Sequence, residues 1–407
     1  MKKPKKNYWE ERSRMSNIPK LRFPEFSGEW EEKKLSDIAS FSKGKGYTKN
    51  DLVNDGSPII LYGRMYTKYE TVISDIDTFV NLQEGSIISK GGEIIVPASG
   101  ETAEEISRAS VVKNKGIILG GDLNIISLQK DKYNPEFFAL TISSGTSQKR
   151  LSKLAQGKSV VHLHNEDLSG LQIKVPSLAE QQKIADFLSN VDSIITAETK
   201  ILNALQKKKK ALMQKLFTRQ LRFKSADGTD FPAWEEKKLG ECVEILDSQR
   251  KPIESKERAN RKGEYPYYGA SGIIDYIDDY LFEGESILLG EDGANIINRN
   301  SRLAFIATGK YWVNNHAHIM KANADNLNHF ICEYLESLDY SKICAGSAQP
   351  KLTQDVIRNL TIKAPCKEEQ QKIADCLSSL DSLIQTQQKV VTTWQQRKKA
   401  LLQQMFI

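Results

Sequence analysis

The sequence predicts a mixed α/β protein built from two related halves. Two globular domains are joined by two long antiparallel coiled-coil helices, with an internal pseudo-two-fold repeat. Three observations predict this architecture. Two motifs occur twice along the 407-residue chain. The second motif of each half leads into a stretch with heptad-spaced apolar residues. The segments between the motifs carry short β-branched runs bounded by glycine, which are typical of strands and turns.

The repeat is visible in two pairs of segments. WEEKKL begins at Trp30 and again at Trp234, each time after a Phe-Pro pair. EQQKIADFLSNVDSII begins at Glu180 and recurs as EQQKIADCLSSLDSLI from Glu369, with most of the aligned positions identical. The second pair is separated by a shorter stretch of chain than the first, so the middle segment of the second half is the shorter one. The halves therefore share these repeated segments and the helices that the EQQ motifs open, which we call the frame. They differ in the segments between the two motifs, which we call the centres.

Each EQQ motif opens a predicted helix that contains neither glycine nor proline and follows a proline, Pro176 or Pro365. Each helix covers about 38 residues, or about 57 Å. Its apolar residues recur at spacings of three and four, which predicts a seam between the two helices. The alternative is a surface helix that packs only on its own domain. Polar residues interrupt both seams at matched places, namely Glu198, Lys209, Gln387 and Lys398.

If the second helix returns along the first, the pair is antiparallel and the two domains lie at opposite ends. The basic runs 207–210 and 397–399 are expected to be charged outer helix faces. The resulting predicted division is an N-terminal extension (1–20), a first domain (21–175), a first helix (176–220), a second domain (221–364) and a C-terminal helix (365–407).

Within the first domain, the residues 85–97 predict short strands with glycine turns, and a late helix is expected to start near Asn134. In the second domain the residues 283–290 predict the same kind of strand, and a late helix is expected near Leu327. Met15 is a second candidate for the start of translation, which would make residues 1–14 an extension.

The composition limits the class of protein. The net charge of +6 and the pI near 8.8 permit a nucleic-acid partner without requiring one. The five cysteines form no CxxC pair, which argues against a zinc finger or a disulfide framework and favours a reducing compartment. No apolar run approaches the roughly 18 residues of a membrane span. We therefore expect a cytoplasmic protein without a membrane association.

Basic, amide and aromatic side chains interleave in both centres. Arg, Lys, Asn and Gln can hydrogen-bond base edges, and Lys and Arg also neutralise phosphate. Solvated loops often have the same composition, so this pattern alone leaves both interpretations open. The candidates for nucleic-acid contact are Lys43, Lys45, Tyr47, Tyr62, Arg64, Tyr66, Lys68, Gln148, Arg150 and Lys158 in the first half, and Gln249, Arg250, Lys251, Tyr267, Tyr268, Arg299 and Arg302 in the second.

The sequence predicts no catalytic, cofactor-binding or metal-binding residues. His162 and His164 with Glu166 have metal-ligand character, but the position that matches His162 in the second half is Lys351. The motifs of dinucleotide-binding, phosphate-binding, zinc peptidase and α/β-hydrolase sites do not occur.

The duplicated frame resembles the specificity subunit of type I restriction–modification systems. The likeness rests on the FPEF…WEEKKL opening, on the helix starts VPSLAEQQKIADFLSNVD and APCKEEQQKIADCLSSLD, and on the helix ends QKKKKALMQKLF and QQRKKALLQQMF. It extends from about Leu21 to Ile407. The segments ASGET, YYGASG and LLGEDGA are similar to parts of that family's target-recognition domains. Ser99, Ser271, Gln349 and Lys351 complete the candidate set.

The resemblance implies that two target-recognition domains each read one half of a bipartite, asymmetric DNA site, while the helices fix the spacer. It also implies two methyltransferase subunits docked on the frame, and restriction subunits. S-adenosylmethionine, ATP and Mg²⁺ are then used by those partners, and this chain is not an enzyme and binds no cofactor. The alternatives are a coiled-coil adaptor without DNA specificity and a standalone DNA methyltransferase or nuclease.

Overall fold

The computed structural model describes residues 17–129, 131–155, 157, 160–344 and 350–406, which form two compact units. The first unit contains the described chain up to Glu198 and again from Val390 onward, and the second is Thr199–Lys389. Each unit therefore holds one α/β domain and parts of both long helices. The described residues from Val390 onward return to the first unit. The boundary between the two units therefore does not coincide with the boundary between the two halves of the sequence repeat.

The first unit contains two five-stranded sheets and two small strand pairs. The strand orders are β2-β12-β8-β10-β5, β3-β6-β4-β11-β7, β1-β14 and β13-β9. Its strands are β1 (Glu31–Lys34), β2 (Ala39–Lys43), β3 (Leu52–Val53), β4 (Ser57–Ile60), β5 (Val72–Ile73), β6 (Phe79–Val80), β7 (Ile88–Lys90), β8 (Glu93–Pro97), β9 (Ser99–Gly100), β10 (Ser110–Val112), β11 (Lys115–Leu119), β12 (Leu123–Leu128), β13 (Val161–His162) and β14 (Gln172–Val175). Its helices are α1 (Leu35–Ile38), α2 (Arg64–Thr67), α3 (Ala103–Ile106), α4 (Pro135–Ile142), α5 (Gly145–Leu154), α6 (Asn165–Ser169) and the start of α7 (Leu178–Phe217).

Strand β8 forms the centre of the first domain. All five of its residues are buried. Residues 94–96 are consecutive apolar residues without polar alternation, which is typical of a strand covered on both faces. Helix α4 packs on this sheet and buries every residue from Phe137 to Ile142. It begins where predicted, because Asn134 accepts a hydrogen bond from the Phe137 amide and Pro135 occupies the first turn.

The second unit contains two four-stranded sheets and one strand pair. The strand orders are β16-β23-β20-β21, β18-β17-β22-β19 and β15-β24. Its strands are β15 (Glu235–Lys238), β16 (Val243–Ile245), β17 (Lys262–Gly269), β18 (Gly272–Ile277), β19 (Phe282–Glu283), β20 (Ser286–Gly290), β21 (Ala304–Ala307), β22 (Lys310–Val313), β23 (Ala317–Ala322) and β24 (Thr361–Ala364). Its helices are α8 (Leu239–Cys242), α9 (Ser255–Asn260), α10 (Asn295–Asn298), α11 (Asn328–Ser337), α12 (Gln354–Asn359) and most of α13 (Lys367–Met405).

The two domains share a strand scaffold that is difficult to see in their sequences. The order β2-β12-β8-β10 in one recurs as β16-β23-β20-β21 in the other. The strands that open and close each domain also pair in the same register. Glu31 lies opposite Val175 in the first domain, and Glu235 lies opposite Ala364 in the second. The two centres therefore share one sheet order and one strand pair, whereas their other large sheets differ in strand number and order.

The two long helices have the predicted length and pair within each unit. α7 contains 40 residues and α13 contains 39. In the first unit Ile184 and Leu188 of α7 share a buried cluster with Met405 of α13. In the second unit Leu216 of α7 shares a cluster with Ile373 of α13. Early residues of one helix meet late residues of the other, so the segments are antiparallel within each unit, as predicted.

The prediction that both basic runs lie on outer helix faces is wrong at two matched positions, Lys209 and Lys398. Lys207, Lys208 and Lys210 are exposed on the outer face of α7, but Lys209 is buried. Its ammonium group lies 2.7 Å from Asp381 and 2.9 Å from Glu333. The lysine therefore occupies the helix seam instead of the outer face, as its place in the heptad requires.

Each EQQ motif ties its domain to the beginning of a long helix. Glu180 is buried and accepts two hydrogen bonds of 2.7 Å from the guanidinium of Arg22. It also accepts one from the indole of Trp30, at 3.3 Å. Glu369 has the same two kinds of partner, Arg222 and Trp234. The tryptophan of each WEEKKL segment and the glutamate of each EQQ motif are thus direct partners.

The glutamine that follows each of these glutamates is also buried. Gln181 donates to the Pro176 carbonyl at 2.9 Å and accepts from the Asn134 amide at 3.0 Å. Gln370 donates to the Pro365 carbonyl at 2.9 Å and accepts from the Leu327 amide at 3.1 Å. These bonds connect each long helix to the start of the late helix of its domain.

No helix in the described ranges is both long enough and apolar enough to cross a membrane. Within the same ranges, His, Cys, Asp and Glu side chains form no group of three or more that could hold a metal ion. All five cysteines are unpaired.

Candidate nucleic-acid interface

In the first unit, four polar residues lie at the segment that follows β8. Ser99 is part of that segment, and the other three are Lys43, Asn124 and His162. We call these four residues the first rim. Ser99 lies opposite His162 in the β9–β13 pair, and Ser99 Oγ is 3.2 Å from His162 Nδ1. Lys43 lies opposite Asn124 in the β2–β12 pair. Asn124 is buried and donates from Nδ2 to the Leu163 carbonyl at 2.8 Å, which holds the segment after β13 against the sheet.

Two tyrosines extend the first rim. The Tyr66 hydroxyl donates to the Ser99 carbonyl at 2.6 Å, and the Tyr62 and Tyr66 rings meet edge to face at 6.3 Å. Burial raises the pKa of the Tyr66 hydroxyl, which keeps it protonated as a donor. Gly100 makes this approach possible, because a Cβ there would lie 2.6 Å from the Tyr66 hydroxyl oxygen. Tyr66 is half-buried, whereas Tyr62 is exposed and available to a ligand.

In the second unit, the segment that follows β20 lies among four residues that we call the second rim: Asp247, Asp292, His318 and Lys351. An isolated β-bridge pairs Asp292 with Lys351. His318 is buried between two acceptors, with Nε2 2.8 Å from the Leu352 carbonyl and Nδ1 2.5 Å from the Asp247 carboxylate. Burial is the strongest single influence on the pKa of Asp247 and would raise it. The hydrogen bond and electrostatic attraction of His318, together with the Ile319 amide and Arg250, outweigh burial, and the pKa of the carboxyl is lowered.

The two rims occupy equivalent positions of the two domains. His162 of the β9–β13 pair and Lys351 of the bridge occupy matched positions of the repeat. The Asn124 bond to Leu163 and the His318 bond to Leu352 likewise hold equivalent carbonyls. The scaffold is the same and the side chains differ. The sequence repeat matches Lys43 with Asp247 and His162 with Lys351. The strand registers match Ser99 with Asp292 and Asn124 with His318.

Glu291 connects two of the predicted candidates at the second rim. Its carboxylate lies 2.9 Å from Arg250 and 3.2 Å from Lys351. Arg250 also donates to the Ala317 carbonyl at 2.6 Å and is largely buried, so it stabilises the position of Glu291 and is not exposed to a ligand. Lys351 is about half exposed and presents its ammonium group to solvent. Beside it the exposed ring of His316 lies 2.9 Å from Asp292.

The remaining candidates of the first domain have varied environments. Arg64 is nearly buried and pairs with Glu70 and Asp77. The Tyr47 hydroxyl is 2.7 Å from Ser86 Oγ and accepts a hydrogen bond from the Gln83 amide, so it holds the connection between β6 and β7. The candidates that are at least partly exposed are Lys45, Lys68, Gln148 and Arg150, the last two on α5.

In the second domain the structure separates several candidates from the rim. Tyr267 is fully buried, and its hydroxyl accepts a hydrogen bond from the Ile253 amide. Tyr268 is half-buried against Phe305 and Tyr311. The exposed candidates are Gln249, Lys251 and Ser271.

Arg299 and Arg302 form internal ion pairs. Arg299 lies 2.8 Å from Glu336 of α11. Arg302 pairs with Glu333 of α11 and lies 3.2 Å from Asp381 of α13. Both guanidinium groups therefore serve the packing of α11. The candidates Lys158 and Gln349, and most of the predicted extension 1–20, lie outside the described residues.

Sequence reasoning missed the acidic residues and the buried histidine of the second rim. Asp247, Glu291 and His318 fall outside the predicted candidates, because the pattern that predicts nucleic-acid contact consists of basic, amide and aromatic side chains. The sequence does contain one signal for this part of the site, because the repeat that matches His162 with Lys351 also matches Leu163 with Leu352, whose carbonyls contact Asn124 and His318. The partners of these two leucine carbonyls, however, depend on the sheet register.

Comparison with known proteins places this frame in a family. The family described as Type I restriction modification DNA specificity domain matches residues 27–207 and 233–393. The chain is 26% identical to the type I restriction enzyme MjaVIII specificity subunit of Methanocaldococcus jannaschii over 412 residues, covering 94% of this chain and 92% of that protein. It is 35% identical over 147 residues to a Haemophilus influenzae protein named as a specificity subunit, covering 36% of this chain and 37% of that one.

A solved structure has the same fold. The type I restriction–modification S subunit of M. genitalium superposes with a TM-score of 0.63 at 17% identity, covering 96% of this chain and 99% of that one. The chain therefore belongs to the type I restriction modification DNA specificity domain family, whose members are the specificity subunits and not the catalytic subunits of these systems.

Proposed function

We propose that this chain reads a two-part DNA sequence, one part with each rim. The observation that carries the proposal is the matched pair of rims, which have one scaffold and different side chains. The rim side chains that are at least partly exposed, namely Lys43, Ser99, His162, Asp292 and Lys351, offer donors and acceptors for base edges. The major groove distinguishes all four base pairs by such groups. The buried Asn124 and His318 instead hold the scaffold of each rim. Ser99 and His162 of the first rim correspond to Asp292 and Lys351 of the second, so we expect the two parts to differ in sequence.

The paired helices set the distance between the two parts. A helix rises 1.5 Å per residue, and one added heptad in each helix adds about 10 Å of rise. Such an insertion is expected to lengthen the unread spacer and to leave both read elements unchanged. Altered elements with an intact spacer would contradict this role.

The repeated frame docks two methyltransferase subunits, and restriction subunits join the complex. S-adenosylmethionine, ATP and Mg²⁺ serve those partners. The support is the resemblance of the frame together with its duplication, because two equivalent surfaces suit two copies of one partner. The unpaired cysteines suit a cytoplasmic location, where thiols stay reduced.

A domain exchange tests the proposal. Residues 30–175 are replaced by the matching segment of a relative whose target is known, and the hybrid is assembled with its methyltransferase partner. Binding is measured on duplexes with each combination of elements over a series of salt concentrations. We expect the first element to follow the new segment, the second to stay unchanged, and affinity to fall as salt rises.

Two outcomes would overturn the proposal. One is a hybrid complex that changes both elements or neither. The other is an intact complex without preference for any sequence, as a coiled-coil adaptor would behave. Methyl transfer by the purified chain alone would instead support a standalone methyltransferase.

A further inference from the structure

A β-ribbon in the second unit carries exposed apolar side chains that the fold does not use. It consists of β17 and β18, joined by the short turn at Ala270 and Ser271. β18 is the outer strand of its sheet. Ile273 and Ile274 are 46% and 53% exposed, and Tyr276 is 50% exposed. Apolar side chains that remain in solvent on an edge strand are a liability unless they contact a partner.

The ribbon contains a bulge at one of these isoleucines. Tyr267 lies opposite Asp275, while Tyr268 lies opposite Ile273, so Ile274 is an additional residue without an opposite partner. A bulge bends a strand and redirects its side chains, and bulges are frequent beside functional sites. Gly269 provides the space for this arrangement, since a Cβ there would lie 3.0 Å from Ile274 Cγ2.

The turn of the ribbon is continuous with the second rim. A Cβ on Gly290 would lie 2.7 Å from the Ala270 carbonyl oxygen, so the turn packs directly on the end of β20. Gly290 immediately precedes Glu291 and Asp292 of the rim region. A ligand that contacts Lys351 therefore also lies near the exposed turn residue Ser271.

We propose that this ribbon enters the major groove at the second DNA element and that Ile273 and Ile274 contact thymine C5-methyl groups there. This inference rests on the proposed function. A two-stranded β-ribbon fits the major groove, and the thymine methyl is the apolar group that the groove displays. The ribbon tip combines the two isoleucines with the polar Ser271 and adjoins Lys351. This combination suits the major groove, where thymine methyl groups lie between the two phosphate backbones.

The first domain has no equivalent ribbon among its described residues. There β4 pairs with β6, a two-residue strand reached through a connection that contains α2. Val80 of β6 is buried and Phe79 is half-buried. Thymine-methyl contacts of this kind are therefore assigned to the second element alone.

Replacement of thymine by deoxyuridine tests the proposal at the level of one methyl group. The second element is first identified by methylome sequencing. Each of its thymines is then replaced in turn, and the affinity of the chain with its methyltransferase partner is measured. Loss of one buried methyl is expected to weaken binding about fourfold. The same replacement within the first element serves as the DNA control.

The protein side of the test uses the double variant Ile273→Ala, Ile274→Ala. It is expected to bind thymine DNA more weakly and to lose the difference between thymine and deoxyuridine. Ile297→Ala is the matched control, since Ile297 is also exposed but lies on α10. It should keep that difference. Thermal melting of all variants should match the unaltered chain, because the side chains are exposed.

Several results would overturn the ribbon assignment while leaving the proposed function intact. They are a second element without an A·T pair, binding insensitive to deoxyuridine, or a double variant that retains the sensitivity. A change in the self-association of the isolated chain upon substitution would instead assign the ribbon to a protein contact. Failure of the proposed function is distinct, since the complex would then show no sequence preference.

Discussion

Lys398 contacts Asp192 across the helix pair of the first unit, with its Nζ 2.5 Å from the carboxylate. The second unit has the equivalent contact, Lys209 to Asp381, at 2.7 Å. The two lysines occupy matched positions of the repeat, and so do the two aspartates. A polar residue within an apolar seam stabilises one register, because any other register would leave its charge without a partner. These contacts therefore define how α7 and α13 align within each unit.

Replacement of these lysines should destabilise the two units unequally. Lys209→Met removes a buried ammonium that serves both Asp381 and Glu333, and we expect a loss of roughly 1–3 kcal/mol. Lys398→Met removes a more exposed pair, and we expect about 1 kcal/mol or less. Urea denaturation of each variant measures the difference in free energy of unfolding. Equal losses at the two sites would argue against the burial of Lys209.

The buried carboxylate of the second EQQ motif should be more costly to lose. Glu369→Ala leaves the Arg222 guanidinium and the Trp234 indole without their acceptor, and we expect a loss of about 3–5 kcal/mol. Glu368→Ala is the control, because that neighbour is exposed and should change stability by less than about 0.5 kcal/mol. Similar melting temperatures for the two variants would contradict the anchoring role.

Gly44 should not tolerate a side chain. A Cβ there would lie 1.9 Å from the Gly120 carbonyl oxygen, and backbone must shift to accommodate it. We expect Gly44→Ala to cost roughly 1–3 kcal/mol or more and to disturb the first rim through the neighbouring Lys43. Gly63→Ala is the matched control, since its nearest atom is at 4.0 Å. Thermal melting compares them, and a neutral Gly44→Ala would contradict the observed packing.

The Asp247–His318 contact predicts a pH dependence of stability. The pKa of Asp247 is lowered in the folded chain, so its contribution is present above the unfolded pKa of about 3.9 and is lost as pH falls through the folded pKa. We expect Asp247→Asn to melt at a lower temperature than the unaltered chain near neutral pH. This difference should shrink below about pH 4. Calorimetry over a pH series measures it, and a constant difference would contradict the prediction.

The frame was predictable from the sequence because its signals are local and occur twice. Heptad spacing depends only on neighbouring residues, and identical interruptions such as Lys209 and Lys398 indicate that the seam is shared. The outer faces predicted for the runs 207–210 and 397–399 were wrong at Lys209 and Lys398 because side chains on a helix alternate between faces every three to four residues.

The rims were only partly predictable, because their contacts join residues that are distant in the chain. His318 and Asp247 are 71 residues apart, and only the register of β16 and β23 places them together. Tyr267 and Tyr268 have the same local composition, yet successive strand residues face opposite sides, and Tyr267 is in the core. Arg302 resembled a nucleic-acid ligand in the sequence, but Glu333 and Asp381 are its partners.

Methylome sequencing of rim variants tests most directly whether the two rims read separate elements. Cells that carry the methyltransferase partner receive either Ser99→Ala with His162→Ala, or Asp292→Ala with Lys351→Ala. The first pair of substitutions should relax or change only the first methylated element, and the second pair only the second. If either pair alters both elements, or if both variants assemble normally and methylate the original sequence, the rims do not read DNA.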